Sequence, residues 1–400
     1  RTEADVDRTA WRHGLIIVKP NDLRSDKALL LIGGGSNRDE APREADGKIV
    51  ALALGSGSVV AELRCVPNQP LVFCGDGEPR HEDDLIGYTW DKFLTTGEAT
   101  WLARLPMVKS AVRAMDTIEA LLASPAGGGL RIRGFVVAGA SKRGWTTWLT
   151  GAVDRRVIAI IPIVIDVLST RESIKHHWAA YGFWSSVLAD YVHHKIMPRM
   201  DTPECTALME IEDPLVYRDR LVLPKYIVNA SGDQFFLPDS SQFYFDDLPG
   251  EKYLRYVPNT DHSLKDSDAV ESILAYYRAV IRGVPRPEFS WSFEPDGSIR
   301  VAAKDAPRDV HLWQATNPKA RDFRLETIGP AFRRSDLADR GDGTYVAKVP
   351  TPAKGWTAFY VEMVYASGGP ESMKFTTAVR VVPDVLPYEQ VPIGNRLQPE

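Results

Sequence analysis

The chain has 400 residues, 44% hydrophobic and 25% charged, a globular composition long enough, at roughly 150 residues per domain, for two domains or one large domain with a substantial insertion. Its 48 basic and 53 acidic side chains leave a net charge of −5. No overall positive field attracts a phosphate backbone, so nucleic acid is not an expected partner. The longest apolar run, Val157 to Ile165, falls far short of the ~20 residues that cross a bilayer, and no transmembrane segment is expected.

The three cysteines, Cys65, Cys74 and Cys205, show no CxxC spacing, which argues against a zinc site and a dense disulfide framework. Cys65 and Cys74 flank an apparent strand and turn, and are read either as a pair in an exported chain or as two inert buried thiols. The chain opens on Arg1 with no apolar leader, so any export signal is expected to have been removed or to lie upstream.

In chain order, Leu15–Val18, Ala28–Ile32 and Val59–Val66 read as strands. An amphipathic stretch follows, with Leu105, Val108, Val112, Met115, Ile118, Leu121 and Leu122 on one helical face. Pro125 and Gly127-Gly128-Gly129 end it. Leu130–Ala138, Val157–Ile165 and Leu221–Ala230 are further buried strands, and Tyr253 begins another before a helix over Asp268 to Arg282. Strands alternating with helices in this way predict an α/β unit around a mostly parallel sheet, over residues 1–284. Residues 168–220 carry Trp178, Tyr181, Phe183, Trp184, Tyr191 and Tyr217. A connection that long inside an α/β core predicts a helical cap. Past Pro285 and Pro287, short alternating strands broken by Asp342-Gly343 and Gly368-Gly369 predict an all-β, immunoglobulin-like sandwich over 288–384, then a tail over 385–400. The Pro-rich linker suggests that this sandwich is separable at Val284 and dispensable for chemistry.

The segment Phe135-Val136-Val137-Ala138-Gly139-Ala140-Ser141-Lys142-Arg143-Gly144-Trp145 is a strand, a serine among small residues and an immediate helix. It resembles the nucleophile elbow of α/β-hydrolases, a sharp turn that lifts a serine hydroxyl above the sheet. Arg143 stands where that motif usually has glycine, and Gly144 follows. An ordinary small-residue turn is the plainer alternative. Chain order supplies a check, because the fold presents Ser, then acid, then His on loops after successive strands. Tyr226 to Ala230 runs through Ser231-Gly232 into Asp233, and Tyr253 to Val257 runs through Pro258-Asn259-Thr260-Asp261 into His262. Asp166, after the strand ending at Ile165, is a rival acid; its plainer reading is a helix cap. Asp233 is favoured because Gly232 permits the turn and 29 residues to His262 fit one strand-helix-strand step.

Ala28 to Ile32 ends in Gly33-Gly34-Gly35, where backbone N–H groups can approach an oxyanion with no Cβ in the way. Gly34, Gly35 and the N–H of Lys142 are the oxyanion candidates. No phosphate-binding glycine motif occurs there. His176-His177 and His193-His194 do not read as metal sites, since neighbours on a helix point about 100° apart. Lys142 and Arg143 either hold an anionic group such as a uronate or form salt bridges at the rim of the core.

Gly-Gly-Ser-Asn at 34–37, Val-Pro-Asn-Gln-Pro at 66–70, Gly-Ala-Ser-Lys-Arg-Gly-Trp-Thr-Thr-Trp at 139–148 and Ile-Pro-Ile-Val-Ile-Asp at 161–166 resemble the PhoPQ-activated pathogenicity-related protein family over essentially the whole chain. The resemblance implies an α/β-hydrolase core with a C-terminal β-domain on an exported bacterial protein, periplasmic or secreted, and a chain that starts late relative to the family.

The expectation is therefore a serine hydrolase of carboxylic esters, small or polymer-borne, with Ser141, Asp233 and His262 as triad. Trp145, Trp178, Tyr181 and Trp184 are the substrate-binding candidates, and no cofactor or metal is required. A peptidase or amidase with the same triad, and a secreted non-catalytic binding protein on the same fold, are the alternatives.

Overall fold

The computed structural model describes residues 1–40, 44–388 and 397–398; residues 389–396 and 399–400 of the expected tail lie outside the described residues. The elements run β1 (Leu15–Val18), β2 (Ala28–Ile32), α1 (Gly47–Ser56), β3 (Val59–Leu63), the two-residue β4 (Leu71–Val72) and β5 (Pro79–Arg80), α2 (Glu82–Thr96) and α3 (Arg104–Ala123). Then come β6 (Phe135–Ala140), α4 (Lys142–Val153), β7 (Val157–Ile163), α5 (Thr170–Tyr181), α6 (Ala189–His193), α7 (Pro203–Glu212), β8 (Lys225–Ala230), β9 (Lys252–Val257) and α8 (Ala269–Arg282). The rest is β10 (Phe289–Phe293), β11 (Ile299–Ala303), β12 (Asp309–Asn317), α9 (Leu325–Ile328), β13 (Arg333–Asp336), β14 (Thr344–Ala347), β15 (Trp356–Ala366), β16 (Ser372–Thr376) and β17 (Arg380–Val382). Parallel strands with intervening helices make the fold α/β.

The chain is compact in two units: Arg1–Ile165, Ser186–Lys225 and Leu248–Glu251 form the first, and Asp166–Ser185, Tyr226–Asp247 and Lys252–Glu400 the second. These bounds differ from the expected division into 1–284 and 288–384, and they split the expected 168–220 cap between the units.

In the first unit β2 pairs in parallel with β3 and β6, β6 with β7, and β1 lies antiparallel to β3. Ala28, Leu29 and Leu30 of β2 and Phe135 to Ala138 of β6 are wholly buried, as expected of parallel strands covered on both faces. Helix α4 packs on β6 and β7. Glycine allows that approach, since a Cβ at Gly144 would lie 2.8 Å from Ile165 Cγ2 and one at Gly151 2.9 Å from Ile160 Cγ2. The core-facing stripe of α3 is Met107, Val108, Ala111, Ala114, Met115, Ile118 and Leu122, whereas Leu105 and Leu121, expected on that face, are exposed.

In the second unit the sheet order is β8, β9, β16, β15, β12, β13, with β17 also on β15, and β10, β11 and β14 form a separate antiparallel sheet. The residues past the Pro-rich stretch are thus strand-rich as expected. They are not a body apart, because β16 pairs with β9 through Thr376 and Leu254. The Tyr256 N–H donates to Thr376 Oγ1 at 3.0 Å, and the buried Arg255 guanidinium pairs with Glu362 of β15 and, at 2.8 Å, with Asp268. A buried cation stripped of its carboxylates costs several kcal/mol, which ties β9 to the C-terminal strands.

Candidate active site

Strand β6 ends at Ala140 and α4 begins at Lys142, leaving Ser141 alone to make the turn, at φ 56° and ψ −126°. Such a backbone costs a residue with a Cβ on the order of 1–3 kcal/mol. It is held by the Ser141 N–H donating to Ile163 O at 2.8 Å and the Trp145 N–H donating to Ser141 O at 3.0 Å. A Cβ at Gly139 would come within 2.6 Å of Arg143 O, so the turn needs glycine before the serine. The Ser141 hydroxyl does not cap α4 and is not consumed by the helix it precedes.

Asp233 follows β8 across Gly232, where a Cβ would meet Leu325 N at 2.8 Å and Thr260 O at 2.9 Å. Oδ1 of the buried Asp233 accepts the Phe235 N–H at 2.8 Å, and its Oδ2 lies 2.8 Å from His262 Nδ1. The His262 N–H donates to Gln234 Oε1 at 3.0 Å, and the Phe235 ring lies 4.4 Å from the imidazole, centre to centre. Asn259, at φ 56°, anchors the loop by accepting the Phe332 N–H at 2.9 Å and donating to Phe332 O at 3.0 Å. The other ring nitrogen, Nε2, is buried and without a hydrogen-bond partner among the described residues. An imidazole held at one nitrogen and open at the other is arranged to take and return a proton.

The rival acid is differently employed. Both oxygens of the buried Asp166 are taken by tyrosine hydroxyls, Tyr244 and Tyr256, each at 2.6 Å. Burial pushes its carboxyl up to about 7, against the lowering effect of those hydroxyls.

In the first unit, Gly33, Gly34 and Gly35 follow β2. Cys65 N–H donates to Gly34 O at 2.7 Å and Val66 N–H to Gly33 O at 3.0 Å. Lys142 Nζ donates to Asp83 at 2.7 Å, and the Arg143 fork grips Glu82 at 2.7 and 2.6 Å. Partial burial acts to raise the Glu82 carboxyl, but the Arg143 hydrogen bond and the two cations prevail and hold it down at about 2. Both cations are thus neutralised within the fold, the salt-bridge reading of the two weighed for them. Glu82 carries no sequence signature of its own; 61 residues separate it from Arg143, and only the fold joins them.

Residues 1–324 match the PhoPQ-activated pathogenicity-related protein family. The chain belongs to that family. It is 38% identical over 411 positions to autocrine proliferation repressor protein A of Dictyostelium discoideum, across 96% of this chain and 83% of that one. Among solved structures it is similar to an acetyl xylan esterase from Paenibacillus sp. R4, with 14% identity, TM-score 0.46, and 67% of this chain and 79% of that one covered. It is also similar to a puromycin hydrolase, with 18% identity, TM-score 0.43, and 68% of this chain but only 37% of that one covered. This chain thus spans little more than a third of the puromycin hydrolase's length.

In this PhoPQ-related chain the first unit carries Gly34, Gly35, Ser141, Lys142 and Trp145, and the second carries Asp233 and His262, in hydrogen-bond contact, with Trp178, Tyr181 and Trp184. The four aromatics expected to touch substrate lie inside the fold. Trp145 Nε1 donates to Glu212 O at 2.6 Å under the Arg104 guanidinium, 3.7 Å from its ring. Trp184 is wholly buried, its ring 5.1 Å from that of Trp178 and 5.5 Å from that of His177, and the Tyr181 ring lies 5.7 Å from that of Phe183. Aromatics at helical spacing serve a core as well as a pocket wall, and here Trp178 packs on Trp184, Tyr181 on Phe183 and His177, and Trp145 on Trp90 and Arg104.

No group of three metal-ligating side chains occurs among the described residues. His176 Nε2 is 3.0 Å from Asp239, and His194 Nε2 is 2.6 Å from Asp84. None of the three cysteines forms a disulfide; Cys65 and Cys205 are buried, whereas Cys74, read as a buried thiol if unpaired, is exposed.

Proposed function

We propose that this family member is a serine hydrolase of carboxylic esters with an α/β-hydrolase core. Ser141 Oγ attacks the acyl carbon while His262 Nε2 takes its proton, and the same nitrogen returns it to the leaving alcohol. Asp233 orients the imidazole and stabilises its charged form. The N–H groups of Gly34, Gly35 and Lys142 receive the oxyanion, at ~3–4 kcal/mol per donor. Water then cleaves the acyl-enzyme by the reverse proton path, with no cofactor. The substrate is a small or polymer-borne ester, the protein is exported, and the C-terminal strands form an immunoglobulin-like sandwich that buttresses the acid and histidine loops.

The observation that carries this reading is the Asp233–His262 pair at 2.8 Å with Nε2 unpartnered among the described residues. Labelling by a fluorophosphonate tests it. The wild-type chain should react covalently at Ser141 and hydrolyse nitrophenyl acetate, and Ser141→Ala should do neither while melting within a few degrees of wild type. An unreactive wild type would refute it.

A second reading is favoured by the relative named as an autocrine proliferation repressor: a secreted, non-catalytic signal that keeps the hydrolase fold. It predicts no labelling and a Ser141→Ala variant with undiminished binding to cells. Aminoacyl anilides, run beside nitrophenyl esters, separate a peptidase from an esterase.

A further inference from the structure

Arg143 replaces a small residue at the position two past the serine, and its guanidinium is sunk into the protein. Nη1 and Nη2 hold both oxygens of Glu82, and Nε donates to Val66 O at 2.5 Å. Three of the five N–H donors, among them both arms of the fork, are thus engaged within the protein. What it touches instead is the glycine loop. A Cβ on Gly34 would stand 2.9 Å from Arg143 Nη2 and 3.1 Å from its Cζ. The guanidinium therefore crowds the side of Gly34 on which a Cβ would stand.

The remaining contacts of this cluster fix the orientation of each peptide in the loop. Gly33 O and Gly34 O accept from Val66 N and Cys65 N, and Gly35 O accepts from Gln69 Nε2 at 3.2 Å. Gln69 is in turn locked to Glu82, donating to Oε1 at 2.6 Å and accepting the Glu82 N–H at 2.8 Å. In a planar trans peptide the carbonyl and the following N–H point in opposite directions. Tying the carbonyls of Gly33 and Gly34 to the 65–66 segment thus aims the N–H groups of Gly34 and Gly35 away from it. Neither N–H donates to another described residue. Glu82, hub of the cluster, itself adopts a left-handed backbone at φ 46°, the kind of strain a fold keeps where the surrounding contacts over-determine it.

We propose that Arg143 is a positioning residue which, clamped by Glu82, wedges against Gly34 and holds the Gly34 and Gly35 N–H groups in place for the oxyanion. The inference rests on the serine hydrolase reading and deepens it. A loop of three glycines has the most backbone freedom to lose. Without the brace the donors must be ordered during each reaction, and that cost falls on the transition state.

The brace is tested with Arg143→Lys, which keeps a cation but loses the fork and the flat face, and with Glu82→Gln, which keeps shape but releases the clamp. Removing one oxyanion donor costs on the order of 10²–10³ in kcat; loosening two without removing them is expected to lower kcat by roughly 10- to 100-fold with KM within about twofold. Affinity for a trifluoromethyl ketone, which forms a tetrahedral oxyanion on the serine, should fall in proportion to kcat/KM across wild type and both variants. A merely structural role would instead lower melting temperature and active fraction together, leaving kcat per fluorophosphonate-titrated site unchanged. That outcome, or kcat within twofold of wild type in a folded variant, overturns the brace. If Arg143→Lys fails to fold, Glu82→Gln decides by the same two readouts. Loss of the brace alone leaves wild-type labelling at Ser141 intact, whereas failure of the hydrolase reading shows as a wild type that is not labelled at all, and takes the brace with it.

Discussion

Replacing Asp233 by Asn exchanges one carboxylate oxygen for an NH2 group and little else. The two oxygens have different duties: Oδ1 accepts the Phe235 N–H at 2.8 Å, and Oδ2 faces His262 Nδ1 at 2.8 Å. With its oxygen toward Phe235, Asn keeps the loop but turns a donor to Nδ1. The ring must then carry its proton on Nε2, where it can no longer act as base. With its oxygen toward His262, the NH2 instead meets the Phe235 N–H, and two buried donors facing each other cost ~1–3 kcal/mol. The first arrangement preserves the fold and loses the chemistry, so kcat should fall by ~10⁴, about 5 kcal/mol at 1.36 kcal/mol per decade, with a melting temperature close to wild type. Asp166→Asn, whose oxygens are bound by Tyr244 and Tyr256, should stay within about tenfold. Nitrophenyl acetate turnover, normalised to sites titrated with fluorophosphonate, measures both. An exchange of phenotypes between the two variants would refute the assignment of the acid.

Trp184→Ala should lose ~3–5 kcal/mol of stability and reduce activity equally across esters of graded acyl length; an altered ranking of esters at unchanged melting temperature would show that the ring contacts substrate. Truncation after Val284 should give an insoluble or molten chain without labelling, because it strips β9 of β16 and Arg255 of Glu362; a soluble fragment labelled at the full-length rate would show that the β-strands are separable after all. Burial raises the Asp166 carboxyl from 3.8 to about 7, so its contribution to stability is complete below about pH 4 and lost as pH rises through 7. The melting-temperature advantage of wild type over Asp166→Asn should therefore shrink between pH 5 and pH 8, and a gap that is constant or grows would contradict that protonation.

Local signals in the sequence carried far. Val-Val-Ala-Gly-Ala-Ser marks a buried strand meeting a helix at the serine, and the structure turns there between β6 and α4, although the strand read as Leu130–Ala138 spans Phe135–Ala140. Gly232 before Asp233 signals a close approach, and Leu325 supplies the other side. What escaped depends on distant partners. Strands expected to reach Val66, Ile165 and back to Leu221 stop at Leu63, start their turn after Ile163 and begin at Lys225, since apolar character continues past the last ladder bond. Helix α2 shows no legible stripe in the sequence because Gly87, Tyr88, Thr89 and Trp90 are buried on successive sides. The pairing of β9 with β16 joins residues over a hundred positions apart behind two prolines that read as a linker. The cap aromatics have a spacing that fits packing and substrate contact equally, and only burial tells them apart.

If the protein is the serine hydrolase proposed above, the anchoring of the histidine loop to Phe332 and of β9 to Thr376 also sets when its activity can begin. A ribosome adding roughly 5–20 residues per second completes the Ser141 turn early, then needs on the order of ten seconds beyond His262 before the strands that brace that loop have emerged. Until then the nascent chain holds the Ser141 turn without a braced His262 loop. On the proposed reading such a hydrolase is silent through synthesis and gains its activity only as the last strands fold.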